Sequence, residues 1–272
     1  MNSSVQTLLT FFRKLQIGTK LISLIAVLLL VSVTSLVWLS TKLFIEDNTA
    51  LIQQMNADTA AGLSAQVREL FRSASDKARI AGRQLMTSKS KTQKMGFLDE
   101  DKDYLGVLLF SLTSGSKTQL RAHTFDEKSG NEIFTILSKE LSLEKISLAE
   151  AQAVSIKMPA GEQAMVLAIP FVREGKRVTQ FLVALLKQSR FTTAFTESDL
   201  TSAYLVSPKG TVLVHREQSH VLGKENFSEL VVVKQLLEGK FNNGQTRYVH
   251  PQTKEARLGA FRAVGFAGLG VV

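Results

Sequence analysis

Cysteine is absent from all 272 residues. That removes disulfide staples, thiolate nucleophiles and zinc–thiolate sites together. Also missing are the glycine-rich phosphate loop ending in Gly-Lys-Ser/Thr, the Gly-x-Gly-x-x-Gly dinucleotide turn, the Gly-x-Ser-x-Gly nucleophile elbow and the His-Glu-x-x-His zinc helix. The chain therefore offers no catalytic residue and no resident cofactor or metal. Three of its 4 histidines, His215, His220 and His250, fall within one stretch, but no carboxylate spacing builds a cage around them. Tryptophan occurs once, at Trp38, and no proline and only two glycines interrupt residues 41–90.

The most consequential absence is charge. The 21 residues between Lys20 and Lys42 carry none. A bilayer core about 30 Å thick needs roughly 20 apolar residues at about 1.5 Å rise each, so this run is long enough to span a membrane as a helix. Arg13, Lys14 and Lys20 precede it without an acid, whereas Glu46 and Asp47 soon follow Lys42. The positive-inside rule keeps residues 1–20 cytoplasmic and exports residues 42–272. Trp38 suits the outer interface. A cleaved signal peptide competes, but its apolar region is usually shorter, about 7–15 residues, and Leu-Val-Trp-Leu-Ser offers no small-residue cleavage site. The expected home is the inner membrane, with a periplasmic domain; a cysteine-free exported domain fits a bacterial envelope.

Net charge is +9, and the exported part retains 30 basic and 24 acidic residues. These are scattered along the chain, as on a solvated surface, so no nucleic-acid partner is expected; a small anionic ligand remains open. The lipid bilayer is the first partner.

After the anchor, apolar or small residues recur at Leu63, Val67, Leu70, Ala74, Ala78, Ala81 and Leu85, spaced for one face of a helix. Nothing between Thr41 and Met55 breaks it, so one long helix should continue from the membrane to about residue 90. Its C-terminal half reads as packed on its own domain. Leu51, Met55, Gly62 and Leu63 are equally suited to a second copy, hence an expected homodimer.

Then the period shortens. Tyr104–Leu112 and Gln119–Phe125 read as strands, residues 132–143 as a helix, and Val154–Met158, Ala164–Val172 and Val178–Lys187 as further strands. Smaller units follow: a hairpin through Ser207-Pro-Lys-Gly210, helical material at residues 228–239, strands at 244–250 and 257–264, and a last one starting at Gly268. The expected fold class is α+β. It comprises a cytoplasmic N-terminus (1–20), a transmembrane helix (21–41), its long extension (42–90), and two antiparallel sheets with helices on one face (91–190 and 191–272). A single larger sheet is the alternative.

Residues 203–216, Ala-Tyr-Leu-Val-Ser-Pro-Lys-Gly-Thr-Val-Leu-Val-His-Arg, with Leu-Gly-Lys-Glu-Asn-Phe at 222–227 and the closing run from Gly244, resemble the membrane-proximal half of double Cache sensor domains. The order long helix, distal PAS-like unit, proximal PAS-like unit covers about residues 45–272. The N-terminal stretch from Gly18 is similar to spirochaete-type membrane adenylate/guanylate cyclases. This resemblance implies a sensory front end whose chain stops at Val272 inside its last strand, with a cyclase output beyond it. A chemotaxis receptor or histidine kinase is the nearest alternative, and an anchored envelope assembly protein or hydrolase a more distant one. It further implies a ligand pocket in the distal unit, with Tyr104, Arg121, His123, Arg173 and Arg177 as candidate polar groups. Arg121 suits a bidentate carboxylate. The tyrosine–arginine–tryptophan–tyrosine–aspartate pattern of amino-acid-binding members is not met, because the sole tryptophan is Trp38.

Overall fold

The computed structural model describes residues 16–87, 95–113, 116–123, 125, 127–159, 161–175, 177–196, 202–251 and 253–272. The chain divides between Ile52 and Gln53 into two units.

Helix α1, Ile17–Thr87, is a single 71-residue element. Within its first part, an 18-residue window reaches a mean hydropathy of 2.6 with none of it buried. Leu24, Leu28 and Val31 are all more than half exposed, as expected of side chains that face lipid rather than protein. Thr34 and Thr41 turn their hydroxyls back to the carbonyls of Leu30 and Val37, so neither presents an unpaired polar group.

From Ala60 onward α1 buries one stripe: Ala60, Ser64, Val67, Phe71, Ala74, Ala78, Ala81 and Leu85. Steps of three and four residues keep these on one face. The expected stripe is thus largely borne out, with Leu63 and Leu70 at its margin and Phe71 as its largest member. Small residues at 74, 78, 81 and 82 bring the helix close to a sheet. A Cβ on Gly82 would stand 2.7 Å from a methyl of Leu182.

That sheet is the distal one. It contains β1 (Tyr104–Thr113), β2 (Ser116–His123), β3 (Gln152–Lys157), β4 (Gln163–Glu174) and β5 (Arg177–Lys187), in the order β2-β1-β5-β4-β3, antiparallel throughout. Strands β4 and β5 are buried on both faces, which explains their nearly unbroken apolar runs. Short helix α2 (Gly96–Asp99) leads into β1, while α3 (Glu127–Glu140) and α4 (Leu143–Ser147) fall between β2 and β3. Ile133, Leu137 and Ile146 from these helices join Phe110, Phe181 and Val166 on one face of the sheet. Leu109, Leu167 and Leu182 meet α1 on the other. Helices therefore cover both faces, not one: α1 supplies the second cover because its stripe continues to Leu85.

Helix α5 (Gln188–Phe195) follows β5 directly. The proximal sheet comprises β6 (Tyr204–Val206), β7 (Val212–His215), β8 (Asn243–Val249), β9 (Ala256–Ala263) and β10 (Gly270–Val271), ordered β7-β6-β10-β9-β8. Among the described residues there are thus two five-stranded sheets, not one larger one. Helices α6 (Gln218–Leu222) and α7 (Val231–Leu237) lie between β7 and β8. The β6–β7 turn is the expected one: Gly210 has φ +81°, and a Cβ there would stand 2.8–2.9 Å from Asn226 and Ser228.

Two-residue β10 occupies the middle of its sheet, paired with β6 and β9. Gly270 admits Leu236 of α7 there, since a Cβ would fall 2.2 Å from its Cδ2. A Gly270→Val substitution is expected to cost at least about 1–3 kcal/mol through overpacking. Gly62→Ala, in open space on α1, should instead gain about 0.4–1 kcal/mol. Thermal melts of the two variants should move in opposite directions.

Candidate ligand site

The distal unit presents a sheet face covered by α3 and α4. Its interior is aromatic: the Phe110 ring lies 4.9 Å from Phe134 and 5.4 Å from Phe181, centroid to centroid. Leu108, Ala122, Ile156, Met158 and Leu185 complete this layer. These side chains pack against one another as the hydrophobic core of that layer.

The five sequence-predicted residues do not converge. Tyr104 begins β1 and faces α1, where its hydroxyl donates to the Ala74 carbonyl at 2.9 Å. Burial pushes its phenol well above the ordinary value. Lys77 of α1 stands 5.8 Å over the Tyr104 ring and pairs with Asp101. Although burial raises the Asp101 carboxyl, hydrogen bonds from Lys77 and the Asp103 amide outweigh it and hold the group below its usual range. Arg190 of α5 closes this cluster against Asp103 at 3.5 Å. Tyr104 is thereby committed to joining helix and sheet.

Arg121 and His123 lie on edge strand β2, opposite Leu109 and Val107 of β1. Arg173 and Arg177 flank the exposed β4–β5 turn, opposite Val178 and Glu174. Tyr104 pairs with Leu186 at the other end of β5. Nine residues separate Leu186 from Arg177, about 30 Å of strand. No single small ligand touches both.

A polar seam that sequence reasoning missed joins α1 to the proximal sheet. Asn56 Nδ2 donates to the Leu258 carbonyl at 3.1 Å, Ser64 Oγ to Ala263 at 3.1 Å and Arg68 Nε to Val264 at 2.5 Å. One turn further along, Phe71 stacks on Phe266 at 5.3 Å and meets Phe191 of α5 at 5.0 Å. The three donors sit 8 and 4 residues apart, a helical period. That spacing was legible, but their partners lie about 200 positions away and left no local signal.

The histidines separate. His215 and His220 meet at 4.4 Å between ring centroids, whereas His250 follows the end of β8. Among the described residues, no group of three or more His, Asp or Glu has the geometry to hold a metal.

No family model matches the chain, and no curated protein matches it. Solved structures do. The extracellular domain of a candidate histidine kinase, rpHK1S-Z16, is 14% identical with a TM-score of 0.55, over 82% of this chain and 93% of that one. The ligand-binding domain of the Pseudomonas aeruginosa PAO1 amino acid chemoreceptor PctC, solved with GABA, gives 14% and 0.52 over 81% and 98%. The periplasmic sensory domain of the Campylobacter jejuni chemoreceptor Tlp1 gives 13% and 0.52 over 82% and 93%. The fold is that of bacterial receptor sensory domains: a long N-terminal helix followed by two antiparallel sheets.

Proposed function

We propose that this chain is the extracytoplasmic sensor of a single-pass or multi-pass membrane receptor, without catalytic activity of its own. One observation carries the reading. A helix that begins with a bilayer-length apolar run continues, unbroken by proline, into the buried stripe of a sensory-domain fold. A ligand bound in the distal unit can favour one of two arrangements by no more than its differential affinity for them. The α1 stripe and the seam of Asn56, Ser64 and Arg68 supply a packed route by which both sheets bear on one helix.

The ligand class is a small anionic molecule, for which an arginine can supply a bidentate partner. Arg121, His123, Arg173 and Arg177 remain the candidate polar groups, and their spread along the sheet means that at most a subset serves one ligand. For the output, a cyclase rests on the resemblance of the N-terminal stretch alone. A histidine kinase or chemotaxis output is favoured by the proteins whose sensory domains share the fold. Homodimerisation belongs to the same reading: Leu51, Ile52 and Met55 are about half exposed on α1 and would pair with a second copy.

The test is a thermal-shift screen of the whole chain in nanodiscs against amino acids and small carboxylates. A true ligand at a hundredfold excess over Kd should stabilise by about 2.7 kcal/mol, a rise of several degrees. Silence across both classes would remove the ligand from the proposal.

A further inference from the structure

The proximal unit holds a titratable cluster to which the sensor reading gives no role. His215, at the end of β7, is 6% exposed. Its Nδ1 accepts the Glu217 backbone N–H at 2.9 Å, and its Nε2 lies 3.3 Å from Ser202 Oγ. A nitrogen that accepts from an amide carries no proton, so His215 is held as the neutral tautomer protonated at Nε2. His220, one turn into α6, meets it edge-on at 4.4 Å. His220 faces carboxylates on both sides: Nδ1 lies 2.8 Å from Glu225 and Nε2 3.3 Å from Glu217. The two rings thus have unlike partners: His215 is held by an amide donor, and His220 stands between two carboxylates.

The remaining neighbours are accounted for. Tyr204 of β6 lies 5.9 Å from the His215 ring, and burial keeps its phenol neutral far above the ordinary range. Phe227 walls the other side. Arg216 is next in the chain, and Lys224 follows α6 with φ +48°. Lys224 reaches out of the proximal unit to pair with Glu140 at the end of α3 in the distal one. The Glu217 amide therefore fastens the start of a short helical turn whose far end touches the other sheet unit.

We propose that the His215–His220 pair is an acid-sensitive catch: proton uptake at His215 Nδ1 breaks the bond to the Glu217 amide, opens the α6 turn and frees Lys224 from Glu140. The step is a simple proton uptake from solvent. It displaces one N–H donor and sets a positive charge at His215, 4.4 Å from the His220 ring. Burial, reinforced by the charge of His220, holds His215 below its ordinary 6.5. The sign follows. The closed turn binds fewer protons than the open one, so its stability is present above about pH 6.5 and is lost as pH falls below that value. The catch needs no ligand, so it stands or falls apart from the sensor reading.

The experiment uses the whole chain in nanodiscs. Hydrogen exchange at the Glu217 amide, corrected for its intrinsic pH dependence, should lose up to about tenfold in protection per pH unit below 6.5. Because the chain lacks cysteine, spin labels at Lys139→Cys and Leu222→Cys report the gap between the units. Their distance should lengthen between about pH 7.5 and 5.5, and Glu140→Gln should reproduce that lengthening at pH 7.5. His215→Asn, whose side-chain oxygen still accepts from the amide but does not titrate, should abolish the response; His220→Gln, which removes a group that holds His215 low, should move it to higher pH. Protection and distance that ignore pH, an unchanged response in His215→Asn, or no effect of Glu140→Gln at pH 7.5 would each overturn the proposal.

Discussion

Replacing Phe71 by alanine should lower the stability of residues 53–272 by about 3–5 kcal/mol, the usual cost of deleting a buried phenyl ring. The site argues for the upper half of that range. Phe71 is fully buried and stacks nearly parallel to Phe266, with interplanar angle 7°, while also touching Phe191. Its neighbours come from three separate places: α1, α5 and the β9–β10 turn. Backbone there is fixed by Gly265 at φ +74°, Ala267 at +50° and Gly268 at +66°, so it cannot easily collapse into the void. A drop of order 10 °C in melting temperature follows for a unit of this size. Phe71→Leu, which refills most of the volume, should recover more than half. A loss under about 1 kcal/mol by chemical denaturation would mean that α1 is a tether and not part of the core.

That ring also marks where sequence reading succeeded and where it stopped. The helix was legible because two independent patterns ran through it: absence of charge over residues 21–41, then small and apolar residues at threes and fours. The turn at Ser207–Gly210 was legible because proline and glycine occur where a tight turn requires them. The strands of the distal sheet were legible from short apolar runs. What could not be read were relations carried by distant partners. Ser64 and Arg68 look like surface residues until the carbonyls of Ala263 and Val264 arrive beside them. The last strand was expected from Gly268, but its place at the centre of the sheet was not legible, because β6 and β9 bring both edges to Gly270 and Val271 from distant parts of the chain.

The candidate site was less legible than the fold for a related reason. Arginines attract notice as anion binders wherever they stand, and a strand prediction fixes neither its end nor its neighbour. Only the β1–β5 register shows that Tyr104 and Arg177 occupy opposite ends of the distal sheet. The histidines were read for metal ligation, a question of spacing. Their contacts with an amide and two carboxylates depend on how α6 folds back, which spacing does not encode.

The other large effect is expected in the membrane. Placing arginine at both Leu29 and Val33 should release the chain from the bilayer. Each position is 60% exposed on α1, and each lies within the charge-free run whose best window has mean hydropathy 2.6. One arginine near the centre of a spanning helix costs about 2.5–3.5 kcal/mol on an insertion scale. Residues four apart share a face, so the second guanidinium cannot simply turn away from the first, and together they should cost about 5–7 kcal/mol. That cancels most or all of what the remaining leucines and valines contribute, at roughly 0.3–0.6 kcal/mol each. Carbonate extraction should keep the parent chain with the membranes and send the double variant to the supernatant. Leu51→Arg, beyond the run, should leave partitioning unchanged. Intact mass of the membrane-bound chain separates anchor from leader: retention of residues 1–41 supports a spanning helix, whereas their loss with a soluble product would make the segment a cleaved signal and leave α1 nothing to transmit through.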